Sequence, residues 1–129
     1  MVAKVISGKS LIGALNYNEH KVSKGAAVLI GESGYLKKPC DLTFHEKINR
    51  LTSLADLNKR AGTNAIHISL SFAVGEHLTP ETMGDIAHEY MGRIGFEGQP
   101  YLVYQHLDAA QPQMHIVTTN ITATGHRIS

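Results

Sequence analysis

The sequence predicts an α+β fold, a mostly antiparallel β-sheet with helices packed on it. Segments with strand and helix periodicity follow one another in the order β-α-β-α-β-α-β-β. The last two predicted strands are separated by only about five residues, a connection typical of an antiparallel hairpin. The length of 129 residues suits a single domain with one ordinary core.

The first half of the chain predicts two strands and two helices. Residues 2–6 have the composition of a short strand, and Ser10 is a good N-cap for the helix that follows it. Residues 26–30 predict a second strand, and residues 31–39 a loop, because glycine and proline are frequent there. Residues 43–60 carry apolar side chains at helical spacing and predict the second helix.

The second half predicts one more helix and three strands. Residues 65–72 alternate strictly between apolar and polar side chains, which is strand periodicity. Thr79, followed by proline and an acidic residue, marks the start of a helix that Gly95 ends. Residues 100–107 and 113–123 predict the two strands of the terminal hairpin.

Composition and charge exclude several classes of protein. Hydrophobic residues make up 43% of the chain and charged residues 18%, a globular composition. The net charge of +1 gives no bulk attraction for nucleic acid. The single cysteine, Cys40, rules out an internal disulfide framework and a four-thiolate metal site, and a reduced thiol predicts a cytoplasmic protein. No apolar run approaches the roughly 20 residues that span a bilayer, so we expect no membrane insertion.

Polar side chains gather at the turn of the predicted hairpin. His106 and Asp108 close one strand, and Gln113 and His115 open the next on one face. Because a hairpin brings these strand ends together, two imidazoles, a carboxylate and an amide can form a cradle for a divalent cation. Spacing alone leaves open the alternative that these are ordinary polar residues at strand ends.

Two further features gain a function only if that cradle binds a metal. Tyr17 in the first helix is otherwise a packing residue, but its hydroxyl becomes a useful nucleophile beside a metal-bound phosphate. His67, Ser69 and Ser71 form the polar face of the third predicted strand. This face is either solvated or adjoins the cradle, where its hydroxyl groups would hold a phosphate.

Lysines are concentrated in the N-terminal third of the chain. They are either ordinary surface residues or a local basic face around Tyr17, in which case Lys21 and Lys24 would contact a phosphate backbone. The full set is Lys4, Lys9, Lys21, Lys24, Lys37 and Lys38.

The motifs resemble those of a known family. The pattern H-x-D-x4-Q-x-H-x4-N, from His106 to Asn120, is similar to the third motif of the relaxase/mobilisation nucleases, which have a histidine where Gln113 stands. VAKVISGKSLIGALNYNEHKV resembles the first motif of Bacteroides-type mobilisation relaxases, and HISLSF, the LTPE helix and GF-x-x-QPYLVYQH resemble their middle segment. The resemblance covers nearly the whole chain and implies the two-layer sandwich of the HUH relaxases.

The resemblance also implies roles for individual residues. The nucleophile that becomes joined to a 5′ DNA phosphate would be Tyr17, and Asp108 would be a catalytic acid that orients a histidine. The implied metal-binding residues are His106, Gln113 and His115, with His67 as a further candidate. The implied DNA contacts are Ser69 or Ser71, together with Asn120.

The function implied by the resemblance is a DNA relaxase that nicks single-stranded DNA at an origin of transfer. Its expected cofactor is a divalent metal, Mg²⁺ or Mn²⁺, and accessory mobilisation proteins are expected partners. We expect residues 1–129 to be the nicking domain of a longer protein. The substitution at Gln113 keeps two alternatives open, a non-catalytic DNA-binding descendant and a small α+β interaction protein.

Overall fold

The computed structural model describes the whole chain, residues 1–129, and confirms the α+β prediction. The elements follow one another in the predicted order, with one additional 3₁₀ turn at Pro39–Asp41. The elements are β1 (Val2–Gly8), α1 (Leu11–Ser23), β2 (Ala27–Ser33), α2 (Phe44–Ala55), β3 (Ala65–Ser71), α3 (Pro80–Arg93), β4 (Tyr101–His106) and β5 (Gln113–Thr119).

The five strands form one sheet in the order β1-β3-β5-β4-β2, and every neighbouring pair is antiparallel. The last strand of the chain, β5, is therefore the central one. In the register of the sheet, Ser69 of β3 lies opposite His115, and His106 of β4 lies opposite Gln113. Because paired residues point to the same face, the polar side of β3 and the predicted hairpin cradle share one surface.

Helices cover both faces of the sheet, a distribution that the order of elements does not specify. On one face α3 buries Met83 and Met91 against the apolar side of β3, β4 and β5. On the other face, α1 contributes Leu15 and α2 contributes Leu51 to a second, smaller core. None of the three helices is both long and apolar enough to cross a membrane.

The helix starts follow the predicted capping. Ser10 accepts a hydrogen bond from the amide of Gly13 at 2.9 Å, and Thr79 accepts one from Thr82 at 3.1 Å. Thr43 and Glu46 form a reciprocal capping box at the start of α2. These caps determine the residue at which each helix begins.

Three predicted boundaries are wrong. Strand β2 continues to Ser33 into the predicted loop, because a bulge near Gly31 lets it keep pairing with β4. Helix α2 ends at Ala55 instead of residue 60, since the next residues form turns and the Asn58 side chain binds the carbonyl of Gly125. Strand β5 ends at Thr119 instead of residue 123, because the chain then folds back on itself through an Ile121–Arg127 bridge.

Candidate active site

Three histidines project from one face of the three inner strands. His67 lies on β3, His115 on β5 and His106 at the end of β4. The rings of His106 and His115 are stacked, with centroids 3.7 Å apart and an interplanar angle of 11°. Nδ1 of His115 lies 2.9 Å from Nε2 of His67. The strand pairing therefore holds the three imidazoles in one packed cluster.

Asn18 of α1 connects this histidine cluster to the helix. Its side chain is fully buried, and its Oδ1 lies 2.7 Å from Nε2 of His106. Its Nδ2 donates to the carbonyl of Ala14 at 3.0 Å and lies 3.5 Å from Nε2 of His67. One carboxamide thus contacts two of the three histidines.

Burial keeps the cluster neutral near physiological pH. Desolvation and, to a smaller extent, the nearby positive charge of Lys21 together lower the pKa of His106 to about 4. Desolvation and the neighbouring His106 together lower the pKa of His115 to about 3. Desolvation also lowers the pKa of His67. Neutral imidazoles have free lone pairs, which is the form in which histidine binds metals.

Tyr17 lies at the rim of the histidine cluster. Its ring centroid is 5.8 Å from that of His67, 6.1 Å from that of His106 and 6.3 Å from that of His115. The side chain is 47% exposed, so that a large substrate can reach it. The ammonium of Lys21, one helical turn further along α1, lies 5.3 Å from the ring centroid of Tyr17.

Asp108 pairs with Lys21 at 2.6 Å and makes no hydrogen bond to a histidine. The hydrogen bond from Lys21 holds the pKa of Asp108 below its usual range, and the same bond raises the pKa of Lys21. The contact that orients a histidine, which we predicted for Asp108, is made here by Asn18. Asp108 instead joins the hairpin to α1.

A cleft of about 400 Å³ opens beside Tyr17 and the cluster. Gln113 lies in its wall, where its Nε2 donates to the hydroxyl of Ser71 at 3.3 Å and leaves its carbonyl oxygen available. The residues around the cleft are Lys4, Ile6, Tyr17, His67, Ser69, Gln113 and His115. The predicted polar face of β3 therefore adjoins the predicted cradle.

The imidazole nitrogens and the Gln113 carbonyl oxygen are chemically suitable ligands for a divalent cation, although they do not form a preformed chelate. No group of three or more His, Cys, Asp or Glu side chains is arranged to hold a metal ion. The reason is that His67 and His115 direct ring nitrogens at each other. Nε2 of His115, however, is buried and has no hydrogen-bond partner within the protein, so it is an available ligand atom for a metal ion.

Two predicted DNA contacts lie away from this cleft. Lys24 is exposed at the end of α1 and does not line the cleft. Asn120 follows the far end of β5, five positions from His115, or roughly 17 Å along an extended strand. Its Nδ2 donates to the carbonyl of Thr63 at 3.2 Å. The structure therefore does not bring these two residues together with Tyr17.

The sequence contains a signal for the buried position of Asn18. Leu11, Leu15 and Asn18 follow helical spacing, and all three are buried. A polar residue that continues the apolar stripe of a helix needs a buried partner, which here is the histidine cluster. Lys4 was predicted only as one of several N-terminal lysines and Ile6 was not predicted at all, because the sequence of β1 does not indicate which strand it pairs with.

An α+β sheet thus carries a histidine-lined cleft with the exposed Tyr17 at its rim. Residues 17–129 match the sequence profile of the family described as "Relaxase: MobA/VirD2-like, nuclease domain". The chain therefore belongs to that relaxase family, which confirms the resemblance read from the motifs. A search among curated proteins gives no match. Family membership supports a general role as a mobilisation nuclease that acts on DNA.

Proposed function

We propose that this domain nicks single-stranded DNA at an origin of transfer and becomes covalently joined to it through Tyr17. The observation that carries the proposal is the position of Tyr17. Its exposed ring lies within 6.3 Å of all three histidine rings, at the edge of an open cleft. A nucleophile at the rim of a neutral imidazole cluster suits an attack on a polyanionic strand laid across the cleft.

In the proposed reaction the phenol oxygen of Tyr17 forms a bond to the scissile phosphorus, and the bond from phosphorus to the 3′ oxygen breaks. The phenol proton leaves to solvent at the exposed rim, and the departing oxygen becomes a 3′-hydroxyl. Lys21 beside the ring stabilises the negative charge that develops on the phenol oxygen. Because one phosphodiester replaces another, the reverse reaction can rejoin the strand.

A bound Mg²⁺ or Mn²⁺ ion would supply Lewis-acid polarisation of the scissile phosphate. We propose His115, His106 and the Gln113 carbonyl oxygen as the residues that hold it. His67 is not among them, because its Nε2 faces Nδ1 of His115. An amide oxygen is a hard ligand and favours Mg²⁺ over softer transition metals. Ser69, in the wall of the cleft, would donate a hydroxyl hydrogen bond to the DNA backbone.

The substrate chemistry suggests the remaining contacts. Lys4 in the cleft wall and Lys21 beside Tyr17 offer positive charge to a phosphate backbone on either side of the nucleophile. Asp108 forms an ion pair with Lys21 and partly neutralises its positive charge. A DNA substrate of this kind places the reaction in the cytoplasm, with accessory mobilisation proteins as partners that melt or present the strand.

The covalent adduct provides the direct test. The native protein is incubated with a randomised single-stranded DNA library and Mg²⁺ or Mn²⁺, and adducts that resist denaturing detergent are recovered and sequenced. We expect an adduct with the native chain and none with Tyr17→Phe. Tyr90→Phe, which removes the same hydroxyl from α3 on the opposite face of the sheet, is the matched control and should form the adduct. Equal adduct formation by Tyr17→Phe would refute the role of Tyr17.

One observation favours a second function, DNA binding without cleavage. Gln113 replaces the histidine of the family motif, and no three-residue chelate is present. Gln113→His separates the two functions. If the native chain binds single-stranded DNA without nicking and Gln113→His restores nicking, the site is degenerate. Nicking by the native chain excludes that alternative. The third alternative, an interaction protein, gains no support from membership in a nuclease family.

A further inference from the structure

We propose that Asn18 is a positioning residue that fixes which nitrogen carries the proton in each of the three histidines. The result of this arrangement is a free lone pair on Nε2 of His115. The catalytic meaning of that lone pair rests on the proposed function. The hydrogen-bond arrangement itself stands independently of it.

The orientation of the Asn18 carboxamide follows from its contact with the backbone. The carbonyl oxygen of Ala14 can only accept a hydrogen bond, so the group 3.0 Å from it is the amide nitrogen of Asn18. The carbonyl oxygen of Asn18 then faces Nε2 of His106 at 2.7 Å. Since that oxygen also only accepts, His106 carries its proton on Nε2 and leaves Nδ1 unprotonated.

The second amide hydrogen of Asn18 determines the state of the other two rings. Nδ2 of Asn18 lies 3.5 Å from Nε2 of His67, a long contact in which two N–H groups cannot face each other. Nε2 of His67 is therefore the unprotonated nitrogen. Nδ1 of His115 lies 2.9 Å from that same atom and must donate to it. His115 thus carries its proton on Nδ1, and its Nε2 is a lone pair.

This chain of hydrogen bonds explains an otherwise anomalous atom. Nε2 of His115 is buried without a partner in the protein, and an unsatisfied buried acceptor is destabilising. A cation, or a hydrogen-bond donor on a bound strand, would satisfy a lone pair but not an N–H group. Asn18 also follows Tyr17 directly in α1 and therefore couples the position of the proposed nucleophile to that of the cluster.

Nuclear magnetic resonance of the ¹⁵N-labelled full chain tests the proposal without any DNA or metal. Long-range ¹H–¹⁵N correlations distinguish protonated from unprotonated ring nitrogens. We expect the proton on Nε2 of His106, on Nδ1 of His115 and on Nδ1 of His67. In Asn18→Asp the side chain accepts but does not donate, so His67 should gain a proton on Nε2 and His115 should lose the one on Nδ1. His106 should keep its proton on Nε2, because a carboxylate oxygen still accepts it.

Asn16→Asp is the matched control, because it introduces the same charge at an exposed position of α1 and should leave all three rings as they are. A native His115 with its proton on Nε2 would overturn the proposal, as would an Asn18→Asp protein with unchanged His67 and His115. If Asn18→Asp does not fold, the native spectrum alone decides. Predicted proton positions without nicking would count against the proposed function only, whereas nicking with different proton positions would count against Asn18 only.

Discussion

Lys47 is a buried charge whose loss the structure predicts to be costly. Its Nζ lies 3.0 Å and 2.9 Å from the two carboxylate oxygens of Glu19, and the hydroxyl of Tyr104 donates to the same carboxylate. The side chains of Lys47 and Glu19 are only 10% and 21% exposed. This group links α2, α1 and β4 on the face of the sheet that carries the histidine cluster.

Lys47→Met keeps most of the length of the unbranched side chain and removes its charge, which leaves Glu19 buried without its cation. Removing one partner of a buried ion pair costs about 3–5 kcal/mol. Because Glu19 retains Tyr104 and some contact with water, we expect the lower end, about 3 kcal/mol. For a domain of this size that corresponds to a fall in Tm of roughly 10 °C.

Thermal and urea unfolding followed by circular dichroism measure this loss. Lys37→Met is the matched control, since Lys37 pairs with Glu46 across a much more exposed surface, and such pairs contribute little. The double variant Lys47→Met, Glu19→Gln should recover much of the stability, because no unpaired charge remains. If Lys47→Met lowers Tm no more than Lys37→Met does, the buried pair does not stabilise the packing of α1 and α2.

Two further predictions concern pH and a turn. Burial lowers the pKa of His106 to about 4 and of His115 to about 3, below the unfolded value near 6.5, so the unfolded chain binds more protons in this window. Stability should be complete above about pH 6.5 and fall as the pH drops toward 4 and then 3, by up to about 1.4 kcal/mol per pH unit for each histidine. Urea unfolding at several pH values measures this, and a flat profile would contradict it. Gly34 has a φ of +77°, and an added Cβ would lie 3.1 Å from Pro100. Gly34→Ala should therefore lower the free energy of unfolding by about 2 kcal/mol. Gly62→Ala, which has open space around it, should not.

The sequence predicted those parts of the molecule that depend on local periodicity. Alternation in residues 65–72 placed His67 and Ser69 on one face, and the short connection after His106 predicted the hairpin that brings His115 beside it. Both features require only neighbouring residues, which is why they could be predicted before the fold was known. Capping at Ser10 and Thr79 was predicted for the same reason.

Features that depend on how distant elements pack could not be predicted in the same way. Strand order within the sheet decides that Lys4 borders the cleft, and no local pattern encodes that order. The tilt of α1 decides that Asn18 reaches His106 while Asp108 reaches Lys21 instead of a histidine. Which side chain contacts which partner depends on the tertiary packing of the elements and not on local sequence patterns.

The central position of β5 determines when the site can exist during synthesis. Without residues 113–119, the native pairings left are β1 with β3 and β2 with β4, which amount to two separate two-stranded ribbons. Such ribbons are marginally stable on their own. The last strand joins them and supplies His115 in the same event. A chain that lacks residues 113–119 therefore has no assembled cleft, because one strand completes both the sheet and the site.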